Sequence, residues 1–203
     1  MAQPPRPEKP RAEFTIDTTA TLELKEWADK IRPEVEKWYP RKVEYLPSDG
    51  YSAPKTFSIT FKVMDGVAYT SGTSIVRAAA WFKAHPDDQG AVIHELVHVV
   101  QQYRSRRNSG WLVEGVADYI RWIKYEPPTK RPRPNPDRAK YTDSYRTTAA
   151  FLEFVAANYD REIAVRLNEA MRESRYGPEL WSEYTGKTVD ELWDEYVKTL
   201  RKP

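Results

Sequence analysis

Two histidines four residues apart with a glutamate between them, His94-Glu95-Leu96-Val97-His98, are the residues of this chain whose types and spacing could do chemistry. On a helix, positions i and i+4 project from one face, so both imidazoles can grip one cation. Glu95 stands about 100° round the helix from His94. From there it can reach past the cation to a water, accept its proton during attack on a carbonyl, and pass that proton to a leaving amine. Cysteine is absent, which removes disulfides, cysteine catalysis and thiolate ligands together. Zinc suits a site of histidine and carboxylate: it takes both donor types, does not change oxidation state, and lowers the pKa of its water towards ~7. The competing reading is a pair of ordinary histidines on a partly buried helix. Against it, the chain has three histidines and two of them lie here. Ala91, Val92, Ile93, Leu96, Val97, Val99 and Val100 also make the segment apolar, where unpaired, hydrated imidazoles would be out of place.

A catalytic zinc site needs a third protein ligand and one open position. The third histidine, His85, precedes the motif, and Gln101 and Arg104 stand where a three-histidine zinc pattern would need glycine and histidine. An acid must therefore supply the ligand. In Trp111-Leu-Val-Glu114-Gly-Val-Ala-Asp118-Tyr119, two carboxylates stand four apart on an otherwise apolar helical stretch. Glu114 is the expected ligand because its longer side chain can reach across from a neighbouring helix, with Asp118 receiving the free ring N–H of a ligand histidine. The reverse assignment, with Asp118 on the metal, stays open. So does a plain structural one, in which Glu114 caps a helix and Asp118 pairs with Arg121 or Lys124.

The elements that must position these residues follow from periodicity and breakers. Leu24, Trp27, Ala28, Ile31 and Val35 give a helix over Thr19 to Trp38 that is expected to stop at Tyr39-Pro40. Phe57 to Met64 alternates with period two, and Val67 to Ser71 and Thr73 to Arg77 are β-rich runs parted by Gly66 and Gly72, which predicts a small sheet. Asp87 or Asp88 can cap the helix carrying the motif to Gln102. Further helices are expected from Trp111 to Ile123, Ser144 to Asn158, Arg161 to Arg172 and Val189 to Leu200. Pro4 to Pro10 and Glu126 to Pro136 read as an arm and a surface loop. The expected class is α+β: one domain over 13–203 behind a flexible proline-rich arm at 1–12, with a small mixed sheet, an active-site helix and a helical C-terminal half. Gly72 to Ala80 is the expected edge strand along which an extended peptide would lie.

Composition bounds the partners. Of 203 residues, 32 are Lys or Arg and 30 are Asp or Glu, a net charge of +2, so the basic face of a nucleic-acid protein is not expected. No apolar run approaches the roughly 20 residues of a membrane span, and the N-terminus lacks the apolar core of a signal peptide. A monomer acting on a peptide or protein substrate is expected. A binding module for protein or cell-wall ligands is the alternative, suggested by the basic, proline-rich run Lys130 to Arg138. The intact Glu95 speaks against that, since a pure binding module has no use for a base there.

His94-Glu-Leu-Val-His98-Val-Val-Gln101, then Trp111-Leu-Val-Glu114-Gly-Val-Ala-Asp118-Tyr-Ile-Arg121, then Tyr145-Arg-Thr-Thr-Ala-Ala-Phe-Leu152 together resemble the plant basic secretory protein family, described as peptidases of plants and bacteria. The likeness runs from about Ile75 to Val155. Glu-x-x-x-Asp after His-Glu-x-x-His is similar to gluzincins such as thermolysin within the zincin clan, whose glutamate binds zinc and whose aspartate supports a ligand histidine. The resemblance implies a zinc peptidase with a zincin-like fold. It also adds Tyr145, matching a family tyrosine just before a helix, as a hydrogen-bond donor to the oxyanion at the scissile carbonyl; Tyr141 lies close enough to compete. Secretion, or a periplasmic location, is implied by the family name, from which this chain departs in its near-neutral charge and lack of an export signal.

Overall fold

A computed structural model of the chain describes residues 12–105, 107–143 and 145–202. All but Ala12 of the expected proline-rich arm, and the first residue of the helix predicted from Ser144, lie outside them. Strands β1 (Glu13–Asp17), β2 (Thr56–Lys62), β3 (Ala68–Ser71) and β4 (Ser74–Ala78) form one mixed sheet in the order β1-β2-β4-β3. β1, β2 and β4 are parallel, with Ile16 opposite Ile59 and Ile59 opposite Ile75; β3 turns back antiparallel to β4. The β3–β4 turn is Gly72-Thr73, and Gly72 at φ 57° takes a left-handed conformation cheap only for glycine. The expected edge therefore moves. β4, within the stretch Gly72 to Ala80, is internal and buried, and β3 is the outer strand on that side, because the tight turn folds β3 outward over β4.

Helix α1 (Lys25–Tyr45) crosses between β1 and β2. It does not stop at Tyr39-Pro40. Pro33 and Pro40 each remove a helical hydrogen bond, at a cost of about 3 kcal/mol, yet Trp27, Ile31, Val35, Trp38 and Tyr39 form a buried stripe that continues to Leu46, and breaking the helix would expose its end. Trp27 meets Phe61 edge-on, and Tyr39 stacks on Phe57 with centroids 5.0 Å apart, which seats α1 on the apolar face of β2.

After the short α2 (Ala79–Ala84) come α3 (Gly90–Gln101) and α4 (Gly110–Tyr119), the latter running into a π-helical segment, Ile120–Tyr125. Asp88 caps α3, accepting the Ala91 N–H at 3.1 Å. The proline-rich loop follows, tied down by Arg131 to Glu153 and by Arg201 to Asp137. Then α5 (Tyr145–Asn158), α6 (Ile163–Arg172), α7 (Glu179–Thr185) and α8 (Val189–Leu200) complete a helical C-terminal half around Phe151, Trp181 and Trp193. The expectations thus hold for α3, α4, α5, α6 and α8, while β1, α2 and α7 are additions. Among the described residues no helix is long and apolar enough to cross a membrane.

Candidate active site

α3 is apolar on nearly every side because it runs through the core, and its polar residues gather where it meets α4 and β3. His94 Nε2, His98 Nε2 and Glu114 Oε2 converge there. The two nitrogens are 3.1 Å apart, and they lie 3.0 and 3.1 Å from the carboxylate oxygen.

Each imidazole is held by its other nitrogen. His94 Nδ1 lies 2.7 Å from Asp118 Oδ1, and the second Asp118 oxygen accepts the Trp122 indole N–H at 3.1 Å. His98 Nδ1 lies 2.7 Å from Gln101 Oε1, while the Gln101 amide donates to Val113 O at 3.0 Å, which fixes its oxygen towards the histidine. Both Nδ1 atoms then carry the ring proton, and both Nε2 atoms present lone pairs to one another and to a carboxylate. Three lone pairs at such distances repel unless a proton or a metal cation lies among them. Burial lowers the His94 pKa, but hydrogen bonds to Asp118 and Glu114 outweigh it and raise the ring to about 9. Burial raises the Glu114 carboxyl, and its bonds to His94 and His98 outweigh that and pull it down to about 2. The pocket is built to draw in positive charge.

The donor set fits zinc. Adjacent corners of a tetrahedron with bonds of about 2.0–2.1 Å stand roughly 3.3 Å apart, close to the spacing here, and two imidazoles with one carboxylate are ordinary zinc donors. His94, His98 and Glu114 are also a group that could hold a metal ion by proximity alone. Glu114 sits in the middle of α4, where Ser109 is the N-cap, Arg121 pairs with Asp88, and the Lys124 ammonium lies over the Tyr45 and Tyr119 rings.

Glu95 turns towards β3. Its residue is only 7% exposed, and one carboxylate oxygen accepts the Thr70 hydroxyl of β3 at 2.6 Å. Tyr145, the first residue of α5, is half exposed, and its ring centroid stands 5.8 Å from that of His94. The Glu114 carboxylate above all, then burial, raises its phenol pKa, so Tyr145 keeps its proton at neutral pH. Tyr141 is committed elsewhere: its hydroxyl donates to Asp190, and its ring packs against Trp111, Phe151 and Trp193. Glu95, His94, His98, Glu114, Asp118 and Tyr145 all line one cleft of about 1380 Å³, with Ala68 to Thr70 of β3 on one wall.

A family model described as peptidase of plants and bacteria matches residues 27–196. The chain belongs to this family. No curated protein and no solved structure matches it. In this member of the peptidase family, the matched stretch takes in the convergent histidines, both α4 carboxylates, Thr70 and Tyr145.

Four residues of the family member's site were not foreseen in their roles. Gln101 could have been, since it follows His98 by three residues and so shares its helix face. Trp122 could have been too, since it follows Asp118 by four residues, whereas Thr70 carries no such local signal because it comes from β3. Arg172, from α6, donates to Gln101 O at 3.3 Å and Val100 O at 3.2 Å, capping the C-terminal carbonyls of α3 from 71 residues away in sequence.

Proposed function

We propose that the chain is a zinc-dependent endopeptidase in which His94, His98 and Glu114 hold the metal, Asp118 and Gln101 orient the histidines, and Glu95 is the general base. The convergence of three lone-pair donors at 3.0–3.1 Å, each imidazole fixed by its outer nitrogen, carries this reading. A bound zinc would supply a Lewis acid that polarises a substrate carbonyl and acidifies water. The protein does the rest. Glu95, held by Thr70, accepts the proton from the attacking water and returns it to the leaving amine. Tyr145, protonated and exposed to the cleft, donates a hydrogen bond to the oxyanion.

The substrate lies along β3. Ala78 N donates to Val67 O, and Tyr69 faces Val76, so by antiparallel alternation the main-chain groups of Ala68 and Thr70 point away from β4. Two residues whose N–H and C=O point away from the ladder on a cleft wall are what an extended peptide needs to add itself as a strand. A single domain over 13–203 acting as a secreted or periplasmic monomer remains part of this reading. A module that merely binds protein or cell-wall ligands is less well supported, since the basic proline-rich loop that would reach a partner is tied back through Arg131 and Asp137.

Elemental analysis of the wild type beside Glu95→Gln, followed by exposure of each to an unbiased peptide library, tests the reading. One zinc in both, with cleavage by the wild type alone, is the expected result. Absence of metal from both would overturn it, and zinc without cleavage would favour the binding module.

A further inference from the structure

The cleft holds a cation that the chemistry above does not use. Arg146, the second residue of α5, is exposed, and its guanidinium carbon lies 4.3 Å from the centroid of the Trp122 ring. Arg121 approaches the same ring at 4.5 Å. The two arginines differ in employment. Arg121 is ion-paired with Asp88, whereas Arg146 has no carboxylate partner among the described residues. Both line the cleft, together with Tyr145 and Asp118.

Trp122 is a fixed platform: 7% exposed, with its indole N–H bonded to Asp118, the carboxylate that orients His94. Contact with an aromatic ring restrains a guanidinium without consuming its N–H donors, so the fork stays available to a planar anion. A guanidinium set over the Trp122 ring, without a carboxylate partner among the described residues and next to the tyrosine that faces His94, is placed to read the substrate, since Arg–carboxylate bonds are charge-assisted and bidentate.

We propose that Arg146, braced on Trp122, selects substrates that carry a carboxylate beside the scissile bond, either an acidic side chain or the C-terminal carboxylate of the peptide. This rests on the peptidase reading for its meaning but can be tested apart from it. Zinc-loaded Glu95→Gln protein is titrated calorimetrically with acetylated peptide amides in which one position at a time is Glu or Gln, and with one peptide as free acid and as amide. The charged member of a pair should bind roughly tenfold or more tightly than its neutral partner. A preference at an internal position identifies a side chain as the source, and one confined to the free acid identifies the terminus. Arg146→Met should bring the ratio close to one, and Arg146→Lys should keep part of it, with both variants melting like the parent. Equal binding of charged and neutral members, no binding of either, or a preference that survives Arg146→Met would overturn the proposal. Cleavage by protein with Glu95 intact is scored separately. Selective binding with no cleavage anywhere would leave Arg146 as the carboxylate site and sink the peptidase reading instead.

Discussion

Gly115 of α4 faces Thr148 of α5 so closely that a Cβ built on the glycine would overlap Thr148 Cγ2 and Cβ. The glycine is next to Glu114, and Thr148 is three residues beyond Tyr145, so this contact sets the distance between a proposed metal ligand and the proposed oxyanion donor. Gly115→Ala must push the helices apart, because the clash is with a β-branched side chain stiff at χ1. A loss of about 1–3 kcal/mol in urea unfolding is expected, with weaker zinc binding. Unchanged stability would mean that α5 rides loosely on α4.

Thr70→Val keeps the shape of the β3 residue and removes the hydroxyl bonded to Glu95. Hydrogen bonds to charged groups contribute about 1.5–3 kcal/mol, so kcat/KM should fall roughly 10- to 100-fold while zinc content stays the same. Loss of zinc in parallel would place the effect in the metal site rather than on the base.

Ala68→Pro removes an N–H that faces away from β4 and leaves the β3–β4 ladder whole. KM for a long peptide should rise several-fold with kcat and metal content little changed. An unaltered KM would show that the peptide does not pair with this edge.

Asp118→Asn leaves the indole bond of Trp122 an acceptor but weakens the hold on the His94 ring proton, and zinc affinity should drop by about 10- to 100-fold. Stripping the wild type with a chelator should lower its stability, and zinc restored at about 100 times its Kd should return roughly 2.7 kcal/mol. His98→Ala should show no such return.

Lys42, in the last turn of α1, is wholly buried, and among the described residues its side-chain nitrogen has no hydrogen-bond partner; the Trp38 ring centroid lies 5.1 Å away. Burial pushes its pKa well below the ordinary lysine value; Arg41 adds to this and Glu34 opposes it. The unfolded chain, titrating near ~10.4, holds the extra proton between the two values, so stability rises with pH through that window. Lys42→Met should stabilise the protein by about 1–3 kcal/mol at pH 7. The gain should shrink as pH approaches ~10.4, as read from urea midpoints. A constant gain across pH would show that Lys42 is not a buried, unsolvated ammonium.

What the sequence determined by itself was local and periodic. His94, Glu95 and His98 lie within one helical turn or so, so their spacing places both rings on one face whatever surrounds them, and Glu114 with Asp118 follows the same rule on α4. The apolar stripes of α3, α5 and α8 likewise needed only their own residues. Tertiary structure decided what depends on contacts between distant segments. Whether Glu114 or Asp118 faces the Nε2 atoms was settled in space by the approach of α4 to α3, and Tyr145 rather than Tyr141 was turned to the cleft by the aromatic cluster that engages Tyr141. The course of α1 through two prolines, the outward fold of β3, and the holds of Thr70 on Glu95 and Arg172 on α3 belong to the same class. In each, burial against a partner far along the chain outweighs a local preference of a few kcal/mol, and no stretch of sequence read alone contains that partner.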